Sequence, residues 1–176
     1  MKKTLVILTH PDIEKSVINK RWVEELEKYP ERFTIHNLHL VYPDGTIDVE
    51  KEQKLVESHE NLVFQFPLYW FNCPPLFKKW LDDVFAYGWA YGKTGDKLKN
   101  KKVALAISAG IKEEDYTPNG KYHVTLKQLL APFEVTFRYV SADYRSFFAF
   151  YGAEDETPSD IVEKNAQEYI AFLNTI

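Results

Sequence analysis

The 176-residue sequence predicts an α/β fold: a three-layer sandwich built on a five-stranded parallel sheet in the order 2-1-3-4-5, with helices on both faces. Two observations carry that reading. Strand-like and helix-like segments alternate along the whole chain, the pattern of a parallel sheet with helical crossovers. Several strand segments are continuous apolar runs rather than alternating ones, as Leu62-Val63-Phe64-Gln65-Phe66 and Val103-Ala104-Leu105-Ala106-Ile107 show. Strands buried on both faces need that composition. No composition shift or internal repeat divides the chain, so residues 1–176 are expected to form a single domain.

The first strand is expected over residues 5–9. Residues 14–28 carry Val17, Ile18, Trp22, Val23 and Leu26 at helical spacing. Residues 33–38 alternate, as a second strand covered on one side would. Tyr42-Pro43-Asp44-Gly45 is a turn, and residues 49–59 a helix. The third strand, 61–66, stops at Pro67, which has no backbone donor to give a sheet. Pro74-Pro75 then opens a helix over 74–87, since proline suits a first helical turn. Residues 88–102 read as a glycine- and lysine-bearing loop, and 103–108 as the fourth strand. A helix over 124–131 has Leu126, Leu129 and Leu130 on one face, and 133–140 and 146–150 are strand-like. Thr157-Pro158-Ser159-Asp160 is expected to cap a last helix running to residue 173.

The totals exclude several function classes. A formal net charge of −4, without a single-sign run, argues against a nucleic-acid partner. One cysteine, Cys73, leaves no internal disulfide and no multi-cysteine metal site, and is read as a small buried hydrophobe. His36, His39 and His59 lack metal-ligand spacing, so no metal is expected. The apolar start of the chain is cut off by His10-Pro11-Asp12, too early for a signal peptide, and no segment is long and apolar enough to span a membrane. A cytoplasmic location is expected.

Three loops then carry the site. In an open parallel sheet of this order, the carboxyl ends of strands one, three and four meet where the strand order reverses, and flat ligands bind there. The first loop, from His10 to Asn19, leads into a helix. Its free N–H groups, with the side chains of His10, Ser16 and Asn19 and the backbone of Val17 and Ile18, could hold a phosphate. No Gly-x-Gly-x-x-Gly and no Gly-Lys-Ser/Thr is present, which excludes a dinucleotide loop and a P-loop. The second loop, Pro67-Leu68-Tyr69-Trp70-Phe71, offers backbone donors and stacking rings. The third, Ser108-Ala109-Gly110-Ile111, is small, and Gly110 lets the backbone come close to a ligand. A phosphate loop, an aromatic loop and a small-residue loop side by side make a cradle for a flavin.

These residues give the chain a family resemblance. Thr9-His10-Pro11 with Ser16 and Asn19, the run Phe66-Pro67-Leu68-Tyr69-Trp70-Phe71 with Pro74-Pro75-Leu76-Phe77-Lys78-Lys79-Trp80-Leu81-Asp82, Tyr87-Gly88-Trp89-Ala90-Tyr91-Gly92 and Ser108-Ala109-Gly110 resemble the flavodoxin-fold NAD(P)H:quinone oxidoreductases. The likeness is to the short bacterial members, among them general stress oxidoreductases and ancillary subunits of potassium-efflux systems. The resemblance implies a flavodoxin-like fold and a flavin, FMN in preference to FAD. His10 and Ser16 to Asn19 would lie on the phosphate side, Leu68 to Phe71 along the isoalloxazine, and Ser108 to Ile111 at its pyrimidine end. It implies two-electron reduction of a quinone by NAD(P)H in a ping-pong cycle, with Tyr116 over the flavin as proton donor and His123 second. It also implies a homodimer, which the ring-rich 87–92 segment would suit. A transporter-bound regulatory subunit and a flavodoxin-like electron carrier are the alternatives.

Overall fold

In the computed structural model, which describes residues 3–176, five strands form one parallel sheet in the order β2-β1-β3-β4-β5. They are β1 (Thr4–Leu8), β2 (Phe33–Asn37), β3 (Asn61–Pro67), β4 (Lys102–Ala109) and β5 (Asp143–Tyr151). β1 and β3 are buried along their whole length, as their unbroken apolar composition requires. Successive side chains point to opposite faces, so the strands feed two cores. Val6, Val63, Ala104 and Ala106 face one side, where Ile18 and Trp22 of α1 (Val17–Leu26) meet Ala166 and Tyr169 of α6 (Ser159–Leu173). Leu5, Ile7, Leu62, Phe64, Phe66, Leu105 and Ile107 face the other. There they pack under α2 (Leu38–Val41), α3 (Val49–Glu57), α4 (Pro75–Val84) and α5 (Leu126–Tyr139).

The sheet order and its helical cover agree with the sequence reading. The main departure is α5. Residues 133–140, with their rings and β-branched side chains, read as a strand, yet they continue one helix from Leu126 to Tyr139. Pro132, inside the helix, lacks an N–H for the carbonyl four residues back, which costs stability there. Burial overrides that cost: Leu126, Leu130, Phe133 and Phe137 fall on one face and are all buried. Phe137 stacks on Phe64 at 5.3 Å and Phe133 on Phe77 at 5.7 Å between ring centres. Thr125 starts the helix with a capping box to Gln128. Two smaller corrections follow the same logic. The first helix begins at Val17 after a 3-10 turn, Ile13–Lys15, and α6 begins at Ser159 with no side-chain cap.

Away from the site, a carboxylate is sealed under the helices. Glu52 on α3 is fully buried and accepts hydrogen bonds from His36 Nε2 at 2.8 Å, Tyr42 OH at 2.6 Å and Trp80 Nε1 at 2.8 Å. One carboxylate thus ties β2, the segment after α2, α3 and α4 together. Among the described residues, no helix is long and apolar enough to cross a membrane.

Candidate functional site

The carboxyl ends of β1, β3, β4 and β5 converge on two adjoining cavities. One, of about 410 Å³, is walled by Leu68, Tyr69, Trp70, Phe71, Ile111 and Tyr116. The other, of about 360 Å³, lies towards α1 and is walled by His10, Asp12, Lys15, Ser16, Val17 and Ser108 among others. Leu68, Tyr69, Gly110 and Glu154 belong to both, so the two are continuous.

On the α1 side, Ser16 is the N-cap and its hydroxyl oxygen accepts from Asn19 N at 3.0 Å. That leaves the hydroxyl hydrogen free to donate outward. The N–H groups of Val17 and Ile18 precede any intrahelical acceptor, so they too remain available, at the positive end of the helix. Burial holds the His10 imidazole below its ordinary value against the opposing pull of Asp12, so it is neutral at pH 7. Its Nδ1 accepts from Asp12 N at 3.2 Å, which places the remaining proton on Nε2. The Thr9 hydroxyl, at the end of β1, is buried without a protein partner.

Asn19, expected from the sequence to donate to a ligand, is engaged by its own chain. It is buried, its amide donating to Ser108 Oγ at 2.7 Å while Gln65 Nε2 donates to its Oδ1 at 3.3 Å. Tyr169 OH donates in turn to Gln65 at 3.3 Å. This network fixes α1 to the ends of β3 and β4, and Ser108, like Ser16, keeps a hydroxyl hydrogen to donate into the cavity.

The aromatic loop is a two-residue turn closed by Tyr69 N to Asn72 O at 2.8 Å and Asn72 N to Tyr69 O at 2.9 Å. Both central residues sit in the left-handed region, Trp70 at φ 49° and Phe71 at φ 60°. Turns of that shape normally use Asn or Gly, and each bulky L-residue there costs about 1–2 kcal/mol. The cost presents the rings at the mouth: Trp70 is 94% exposed and Phe71 packs on Tyr122 at 5.3 Å. Leu68 N, bonded to Ser108 O at 2.8 Å, holds this loop beside the third. Cys73 lies just beyond it; burial pushes its thiol up to about 11, so it is no thiolate at neutral pH.

Ser108 and Gly110 reach the cavities and Ile111 lines the larger one, whereas Ala109 is fully buried and contributes its carbonyl to Ala153 N at 2.9 Å. Tyr116 is 6% exposed, its ring 5.6 Å from that of Tyr151. Burial, reinforced by Tyr151, pushes its hydroxyl up to about 12, so it keeps its proton at neutral pH. His123 is not part of either wall; it sits at φ 54° with Nδ1 3.1 Å from the Pro118 carbonyl. Sequence reasoning missed Tyr122 and Glu154. Gly152, at φ 74°, turns the chain back over the site and brings Glu154 to it.

The architecture and the loops together fit one family. The family model for the flavodoxin-like fold matches residues 2–173. The chain belongs to that family. Within it, the chain is 45% identical over 171 residues to the uncharacterized NAD(P)H oxidoreductase YrkL of Bacillus subtilis (strain 168), covering 97% of each. It is 34% identical over 173 residues to the potassium-efflux ancillary protein KefG of Yersinia pestis (strain Pestoides F), covering 98% of this chain and 94% of that one. The crystal structure of general stress protein 14 from Treponema denticola, in complex with FMN, superimposes with a TM-score of 0.93 at 48% identity, covering 98% of each chain.

Proposed function

We propose that this protein is an FMN-dependent NAD(P)H oxidoreductase that reduces quinones. The observation that carries the reading is the joined pair of cavities. One end offers free N–H groups and two hydroxyl donors suited to a phosphate; the other offers apolar rings suited to a flat heterocycle. The residues fit FMN: Ser16, Val17, Ile18 and His10 would hold its phosphate, and Leu68 to Phe71 with Gly110 and Ile111 would hold its ring. The FMN-bound relative and the oxidoreductase relative support the same assignment. FMN would supply the hydride chemistry there.

The chain's own part is binding, orientation and proton supply. The ring-lined cavity would take NAD(P)H and quinone in turn, giving ping-pong kinetics. A quinone oxygen that gains charge needs a donor. Tyr116, protonated and walling that cavity, would give it. His123, hydrogen-bonded to Pro118 and outside both walls, would be the weaker candidate. The test starts with the purified protein: it should take up FMN stoichiometrically, bleach with NADPH and recover colour with menadione. A preparation that binds no flavin would end the reading. Tyr116→Phe should lower turnover roughly 100-fold with FMN content unchanged; wild-type turnover in that variant would remove Tyr116 from the reaction.

The proposed assembly is a homodimer in the cytoplasm. Of the ring-rich segment, Trp89 is buried in its own chain and donates to Glu57 at 2.7 Å, whereas Tyr87 is exposed. With Tyr91 and the exposed Tyr139 it forms an aromatic patch suited to a second copy, which sedimentation would show as a doubled mass. A second reading, an ancillary subunit of a transporter, draws on the KefG likeness; quinone reduction near zero in an FMN-loaded protein would favour it.

A further inference from the structure

Glu154, on the loop between β5 and α6, is the one charged side chain that walls both cavities. Its carboxylate lies against the third loop: a Cβ built on Gly110 would stand 2.5 Å from Glu154 Oε1 and 2.7 Å from Cδ. Glycine at 110 therefore leaves the space in which the carboxylate rests. Glu154 N is also placed 3.4 Å from the Gly110 carbonyl, and Ala153 N bonds Ala109 O at 2.9 Å, so the loop that carries it is pinned to the end of β4. The acid is thus held where the two cavities join, beside Leu68, Tyr69 and Gly110.

What a ligand spanning both cavities presents at that junction decides what the acid can do. An ionised carboxylate only accepts hydrogen bonds. It would repel a phosphate and would be wasted on an apolar ring. A polyhydroxyl linker offers several O–H donors, and bonds from hydroxyls to a carboxylate are among the stronger ones. We infer that Glu154 is a cofactor-selecting residue that accepts hydrogen bonds from the ribityl hydroxyls of the flavin. This rests on the flavin reading above and adds a selectivity to it: the site recognises the sugar-alcohol chain and not only the ring and the phosphate.

The test compares three flavins on flavin-free protein by fluorescence titration: lumiflavin, which has the ring alone; riboflavin, which adds the ribityl chain; and FMN. Glu154→Ala should weaken riboflavin about tenfold and leave lumiflavin within about twofold, while Glu154→Gln, which keeps an acceptor oxygen, should lose less. FMN should follow riboflavin in direction. Riboflavin affinity unchanged in Glu154→Ala, or lumiflavin weakened to the same extent, overturns the inference while the flavin reading stands. If the wild-type protein takes up none of the three, the flavin reading falls and the inference with it. Glu154 is exposed, so both variants should melt with the parent.

Discussion

Replacing Glu52 with leucine should destabilise the protein by about 3–5 kcal/mol, a large share of the stability of an ordinary domain. The reason is not the loss of a charge. The substitution strands three buried donors, His36 Nε2, Tyr42 OH and Trp80 Nε1, on three different elements. Thermal melting should show a fall of roughly 10 °C. Glu52→Gln, which retains one acceptor oxygen, should fall less. The same network gives a pH dependence. Burial pushes the Glu52 carboxyl up, but the bonds from His36, Tyr42 and Trp80 outweigh it and hold the carboxyl below its ordinary value of 4.5. A group whose value is lowered on folding stabilises above its unfolded value, so this contribution is complete at neutral pH. It is lost as the pH falls below about 4.5 through the folded value. A leucine variant with the parent's melting temperature and acid profile would show that the network contributes nothing.

The second large effect is expected at Asn19. Asn19→Ala removes the buried amide that joins Ser108 to α1 and one of the two acceptors of Gln65 Nε2, which keeps only the Asn19 carbonyl at 3.2 Å. Stability should fall by about 2–3 kcal/mol. Because the phosphate end is then no longer fixed against the end of β4, FMN should bind at least about tenfold more weakly. Ser108→Ala should cost part of the same energy, and the double variant less than the sum, since the two side chains share one bond. Additive losses would mean that Asn19 and Ser108 act separately. Parental FMN affinity in a destabilised Asn19→Ala protein would confine the bond to folding.

The sheet was legible because its evidence is local. Buried parallel strands announce themselves as short apolar runs, and alternation with helices leaves few topologies. α5 was harder because Pro132 and the β-branched residues after it favour another local structure. What overrules them, the burial of Phe133 and Phe137 against Phe64 and Phe77, comes from elements far away in the chain. The site divides in the same way. His10, Ser16 and the aromatic run stand next to the strands that carry them and could be picked out. Asn19 could be placed at the site but not given its role, because Ser108 lies 89 residues later. Glu154 carries no local signal at all: nothing in its neighbours says that the turn at Gly152 folds it over Gly110.

The left-handed pair at Trp70 and Phe71 has a consequence for anyone who sets out to engineer a hardier version of this chain. Asn-Gly would suit that turn better and relieve its backbone, so a search guided by thermal tolerance alone would favour it. The gain would come by deleting the two rings that the turn holds at the cavity mouth, so selection for heat resistance would strip the cavity of its aromatic wall.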